Sequence, residues 1–387
     1  MKKKLTLFIL IAFILGIIGG LILPKVMISL SFLGTIYVNL LKMLIVPILF
    51  FGITTALNGS NRSSKVTIKT IILFIAMFVA SFIINSLLVG IIRPGAGYRF
   101  DEIAWEGTLV SLKFQDLITS LIPSNLIAAA ANNQLMPVII FSFVVGIYLN
   151  KTGIPSFKIW FVGMNQMFNR ILEWVMYLTP IGVFVLIGNT VATFGGQILF
   201  SAFKYIGVAW LGCLIIMILV MILPVWIYCK IKPWTYIKQI SKIWFMTLST
   251  CSSAATLPET IRVCNYELEI PEEITNIVVP LGCTIHMCGG AVSFSLLALF
   301  TMQMYSIPMT APLFILMLVS ALLINMGAPG IPGGGIVIGA TYLNLLGLPL
   351  TFIGFYAGIY RVLDMAYTTM NVTGDITANC IIKESLE

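Results

Sequence analysis

The sequence predicts an all-α protein that crosses a membrane many times, and three observations predict it. Of 387 residues, 59% are hydrophobic and only 9% charged, where soluble domains carry about 25% charge. Apolar runs long enough for a bilayer, about 20 residues each, recur along the whole chain and leave no stretch for a soluble domain. Beyond residue 240 these runs are interrupted by small and polar residues at membrane depth.

The first run, Leu5 to Leu23, follows three lysines. It is too long for the core of a signal peptide and no small-x-small cleavage site follows, so it reads as a retained first helix. Further spans are expected at 32–57, 67–92, 108–149, 157–193 and 199–229. The fourth and fifth exceed one straight crossing and should break or tilt, near Pro123 and Pro180.

The net charge of +8 follows topology. Lys2, Lys3 and Lys4, then Arg62, Lys65 and Lys69, then Lys151 and Lys158, then Lys230, Lys232, Lys238 and Lys242 fall on alternate sides of successive spans. The positive-inside rule makes these the cytoplasmic loops and places both termini inside. A multi-pass protein of the cell membrane is expected, with the lipid bilayer and not a nucleic acid as its partner. Asp101, Glu102 and Glu106 fall in an outer loop, and the seven cysteines, mostly in apolar segments, read as reduced thiols.

Four segments interrupt the second half: "TLSTCSSAATLP" (247–258), "PLGCTIHMCGGA" (280–291), "NMGAPGIPGGG" (325–335) and "MNVTGD" (370–375). Unpaired backbone groups in hydrocarbon cost several kcal/mol, so irregular segments survive only inside protein or beside a wet cavity. All four should therefore meet at one place. Two interrupted pairs in corresponding positions are also expected of a transporter built from inverted repeats, with its site at the bilayer midplane.

Arg361, Asp364, Thr368, Asn371 and Asp375 are spaced 3, 4, 3 and 4, which puts all five on one helix face. That face cannot look at lipid. Its oxygens suit a hard cation such as sodium, or the ammonium of an amino acid; an intrahelical Arg361–Asp364 ion pair is the structural alternative.

"DMAYTTMNVTGD" (364–375) resembles the last-helix signature of the dicarboxylate/amino acid:cation symporter family, the glutamate transporters, usually D-M-x-R-T-x-x-N-V-x-G-D. "LKMLIVPILF" (41–50), "IPSNLIAAAANNQLMPVIIFSFVVGIYL" (122–149), "LTPIGVF" (178–184), "SSAATLP" (252–258), "PLGCTI" (280–285) and "GIPGGG" (330–335) are similar to other segments of that family, in the same order. The resemblance implies eight spanning helices, two re-entrant hairpins with inverted repeats, a homotrimer and an elevator movement. Residues 1–229 would be mainly scaffold and trimer contact, with the third and sixth helices joining the transport core at 230–387. Asp364 would hold the substrate amino group; Ser252, Ser253, Thr368, Asn371 and Gly330 would surround the rest of the substrate, beside Tyr367. Asp375, Asn371 and the Gly282 carbonyl would bind one sodium. Carbonyls of Thr284, Asn325, Met326 and Ala328 would bind a second, closed by the second hairpin as a gate.

Departures from the family pattern bear on substrate and ions. The arginine that pairs with an acidic substrate falls on Tyr367, and a phenol cannot replace a bidentate guanidinium. Alternative arginine positions are Cys251 and Met365, leaving Arg361 as the remaining candidate cation. The usual N-M-D-G-T reads His286-Met287-Cys288-Gly289-Gly290 here, so a thiol replaces a sodium-binding carboxylate. The hydroxyl partners of that site fall on Met77 and Phe78, so fewer sodium sites than usual are expected. His286, the sole histidine, has three readings: a hydrogen-bonding replacement for the amide, a proton-coupling group, or, with Cys283 and Cys288, a soft-metal ligand.

The expected function is secondary active import of a neutral amino acid, coupled to sodium, protons or both. The alternatives are a symporter of an anionic substrate using Arg361, and an uncoupled channel-like or sensing homologue. An intramembrane hydrolase built on His286 lacks an evident third member, so the chain is not read as an enzyme.

Overall fold

A computed structural model describes residues 2–56, 64–96, 122–131, 135–151, 154–194, 197–325, 334–350 and 352–386. Every regular element among them is helical. The outer-loop acids, the start of the fourth expected span, and Met326, Ala328 and Gly330 lie outside the described residues.

The first half supplies α1 (Lys2–Ile22), α2 (Pro24–Ser29), α3 (Ser31–Met43), α4 (Ile45–Ala56) and α5 (Ser64–Ile92), then α6 (Leu126–Ala131), α7 (Leu135–Lys151), α8 (Pro155–Tyr177), α9 (Thr179–Phe194) and α10 (Gln197–Ile216). The expected break near Pro180 falls at Leu178, between α8 and α9, and Pro123 lies in a non-helical stretch before α6. The sixth expected span continues α10 through a π-helical turn, Met217–Ile222, into α11 (Leu223–Tyr228). Pro224, near the start of α11, has no N–H to give the preceding turn, and a π turn is one way a helix accommodates such a gap.

The second half contains α12 (Pro233–Thr250), α13 (Ser253–Tyr266), α14 (Glu272–Ile285), α15 (Cys288–Met304), α16 (Ala311–Asn325), α17 (Gly334–Leu345) and α18 (Ile353–Glu384). Two of the expected interruptions are genuine breaks. Cys251 ends α12 in the left-handed region (φ 50°, ψ 43°), and the Ser252 hydroxyl caps α13 by accepting from the Ala255 amide. His286 and Met287 are extended, so α14 stops and α15 restarts after two residues. The segment at 370–375 is not an interruption: α18 runs unbroken for 32 residues. Gly374 is required there by close approach, because a Cβ would run into the His286 ring.

Three helical stretches, Lys65–Ile92, Ala202–Tyr228 and Glu272–Met304, are long and apolar enough to cross a membrane, with shorter apolar helices around them. Large apolar side chains such as Ile72, Leu87, Ile91, Trp174, Phe203 and Trp234 are exposed, as a lipid-facing surface requires. α18 is buried along nearly its whole length and touches α5, α9, α10, α12, α13, α14, α15 and α17. α1 lies along α9, while α4 packs against α7 and α8. Three hydrogen bonds tie α12 to one face of α18: Thr247 with Thr369 at 2.8 Å, the Trp244 indole donating to Thr373 at 2.9 Å, and Tyr236 with Thr377 at 2.9 Å. The spacing of 369, 373 and 377 is one helical turn each, so the first arm of the hairpin is held along α18.

Candidate functional site

A small, partly open cavity lies where α13, α15 and α17 begin and the middle of α18 passes. Ser253 comes from the first turn of α13, Gly289 and Gly290 from that of α15, and Gly335 from that of α17. Three helix N-termini therefore direct the positive ends of their dipoles toward one space, an arrangement that favours an anionic group. Asp364 faces the same space, and its Oδ1 accepts the Thr368 hydroxyl at 3.2 Å. Among the described lining residues, Asp364 is the only formally charged side chain.

Of the substrate contacts expected from sequence, the cavity gathers Ser253, Asp364, Tyr367, Thr368 and Asn371. Ser252 is not a lining residue; its hydroxyl oxygen accepts the Ala255 amide in the α13 cap. Gly330 falls outside the described residues. Asn371 turns its side-chain oxygen to the Gly289 amide at 2.7 Å, which fixes the start of α15 against α18. A Cβ on Gly289 would strike the Tyr367 backbone, so this contact admits only glycine.

Cys251, Met287, Ser293, Phe294, Asn325, Ile338 and Tyr360 also line the cavity. Tyr360 and Tyr367 form the aromatic wall, 6.4 Å between centroids, and Tyr356 packs behind Tyr360 at 5.2 Å. It was readable: Tyr356, Tyr360 and Asp364 continue the polar stripe at a spacing of four, two turns before the point where charged residues draw attention. Arg361 is not a lining residue, yet its guanidinium reaches 3.5 Å from the Thr250 carbonyl, next to Cys251 at the cavity edge.

Behind the cavity lies a second polar group. His286 is buried in the α14–α15 break with Nδ1 2.9 Å from Asp375 Oδ1 and Nε2 2.9 Å from the Cys288 sulfur. Phe74 of α5 stacks on the imidazole, 4.3 Å between centroids and 14° from parallel. A Cβ on Gly282 would strike the Asp375 carboxylate. The two ring nitrogens thus face different partners, so Cys283, His286 and Cys288 do not converge on one ion; among the described residues no group of three His, Cys, Asp or Glu could hold a metal. Of the other expected cation contacts, Asn325 ends α16 buried against Gly290, and Thr284 sits exposed in the last turn of α14.

The profile described as "Sodium:dicarboxylate symporter family" matches residues 5–385. The chain is 30% identical to a proton/glutamate-aspartate symporter of Bacillus subtilis (strain 168), covering 100% of this chain and 96% of that protein. It is 28% identical to a proton/glutamate-aspartate symporter of Escherichia coli (strain K12), covering 98% of this chain and 92% of that one. It is also 28% identical to a proton/sodium-glutamate symport protein of Geobacillus stearothermophilus, covering 99% and 94%. A match over nearly every residue, with relatives aligned from end to end, means that this integral membrane protein belongs to the sodium:dicarboxylate symporter family, a family of transporters and not of enzymes.

Proposed function

We propose that this symporter imports a neutral amino acid. The observation that carries the reading is the composition of the cavity: one carboxylate, Asp364, opposite three helix N-termini, with no cationic side chain among the described lining residues. Asp364 would take the ammonium group and the helix ends the α-carboxylate. Tyr360, Tyr367, Phe294 and Ile338 would leave an apolar and aromatic surface for the side chain, with nothing to neutralise a second carboxylate.

Coupling is to sodium, protons or both, in keeping with relatives that are a proton/glutamate-aspartate symporter and a proton/sodium-glutamate symport protein. A sodium would bind at carbonyls of Thr284, Asn325, Met326 and Ala328, at the C-terminal end of α16 where the helix dipole is negative. We further propose that α5, α10 and residues 230–387 move as one body against the remaining helices, within a homotrimer whose termini face the cytoplasm. The contacts of α5 and α10 with α15 and α18 support that grouping.

A second reading, an acidic amino acid or dicarboxylate, is favoured by the relatives' names and by Arg361 standing at the cavity edge. Thermal unfolding of the purified protein against neutral amino acids, acidic amino acids and dicarboxylates, in sodium or choline, separates the two. A ligand at 100 times its Kd adds about 2.7 kcal/mol. Stabilisation by a neutral amino acid supports the first reading; stabilisation by acidic ligands alone replaces it with the second.

A further inference from the structure

We infer that His286 is a built-in occupant of the Asp375 position, which closes that carboxylate to sodium in this chain. Four observations meet there. Oδ1 of Asp375 lies 2.9 Å from the imidazole Nδ1, so one of the two carboxylate oxygens is already engaged. With Asp375 ionised, a group that only accepts hydrogen bonds, Nδ1 carries the proton and Nε2 accepts from the Cys288 thiol at 2.9 Å. The thiol therefore acts as a donor that sets the tautomer, with Ser81 of α5 beside it.

The ring is also shaped in from its faces and edge. Phe74 covers one face, and Gly374 supplies the absent Cβ that lets the ring approach α18. On the carboxylate side, Gly282 leaves room for Asp375 and nothing larger. Asn371, the other expected side-chain contact of the same ion, turns its oxygen to the Gly289 amide. A sodium taking Oδ1 would have to break the hydrogen bond between Asp375 and a buried imidazole, with no more than a carboxylate and backbone carbonyls to hold the ion. Cation coupling would then rest on the carbonyls at the end of α16, which is the part of this inference that depends on the proposed symport reading.

A single histidine makes the test direct. Protein labelled with ¹⁵N only in histidine gives one pair of ring signals, recorded in choline chloride and then in sodium chloride up to molar concentration. The Nδ1–H tautomer is expected throughout, with its signals unmoved by sodium. A saturable loss of the Nδ1–H signal on adding sodium means that the ion displaces the imidazole, and overturns the inference.

The reverse experiment replaces both groups. His286→Asn with Cys288→Asp is expected to add a saturable, sodium-dependent rise in Tm beyond the parent's own response. A variant that elutes as the parent does, yet responds to sodium no more than the parent, also overturns it. Neither readout needs a known substrate, so failure of the neutral-amino-acid reading leaves both interpretable.

Discussion

The Thr368 hydroxyl donates to Oδ1 of Asp364 at 3.2 Å, across one turn of α18. The bond orients the carboxylate on the stripe that faces the cavity, and Asp364 is the charge that would meet a substrate ammonium. Asp364→Asn is expected to cost about 2–5 kcal/mol of substrate binding, at least a 30-fold rise in Kd. Titration of the stabilising amino acid by thermal shift or calorimetry measures this; an unchanged Kd would remove Asp364 from the amine site.

Tyr367 stands in the cavity wall, at the position where the last-helix signature that this segment resembles carries an arginine. Tyr367→Arg is expected to lower the Tm of the unliganded protein, since a guanidinium among Tyr360 and its neighbours lacks a partner, and to gain stabilisation by aspartate or a dicarboxylate. Failure of every acidic ligand to stabilise the variant more than the parent would mean that this wall does not set selectivity.

Cys251 holds a left-handed conformation at the hairpin tip, with φ 50°. Glycine adopts it without the Cβ penalty, so Cys251→Gly is expected to stabilise by about 1 kcal/mol. Cys251→Val should act in the opposite direction. Tm values of the two variants are sufficient to decide.

Gly289→Ala presses a methyl group on the Tyr367 backbone, which cannot rotate away as a side chain would. A loss of about 1–3 kcal/mol is expected, read as reduced Tm in both unliganded and substrate-saturated protein.

Thr373→Val leaves the Trp244 indole N–H without its 2.9 Å acceptor. Interhelical hydrogen bonds in membranes average about 0.6 kcal/mol, and a loss near that size is expected in unfolding titrations. A double change with Thr369→Val should approach the sum of the two single changes if each rung acts alone.

Much of this was legible in residues close together in sequence. The stripe of Asp364, Thr368, Asn371 and Asp375 follows from helical periodicity, and the breaks at Cys251–Ser252 and His286–Met287 follow from polar residues in hydrophobic surroundings. The segment at 370–375 misled for a physical reason. Gly374 looks like a helix breaker, whereas its role is to admit a ring from 88 residues earlier in the chain, and no local pattern records that. The same applies to Ser252, whose side chain could serve a substrate or its own helix; the N-cap takes it. His286 was legible as an anomaly, but its two partners became visible only when α15 and α18 were placed together.

α18 follows, in chain order, every other element that lines the cavity. During synthesis, α5, α12, α14 and α15 therefore reach the bilayer before the helix that covers their polar faces. Trp244, Thr247 and His286 must be sheltered by one another, by water or by the insertion machinery until residues 353–384 arrive. The candidate site is accordingly the last part of the molecule to exist, and a ribosome stalled before α18 would leave a chain with most of its spans and without the helix that completes the cavity.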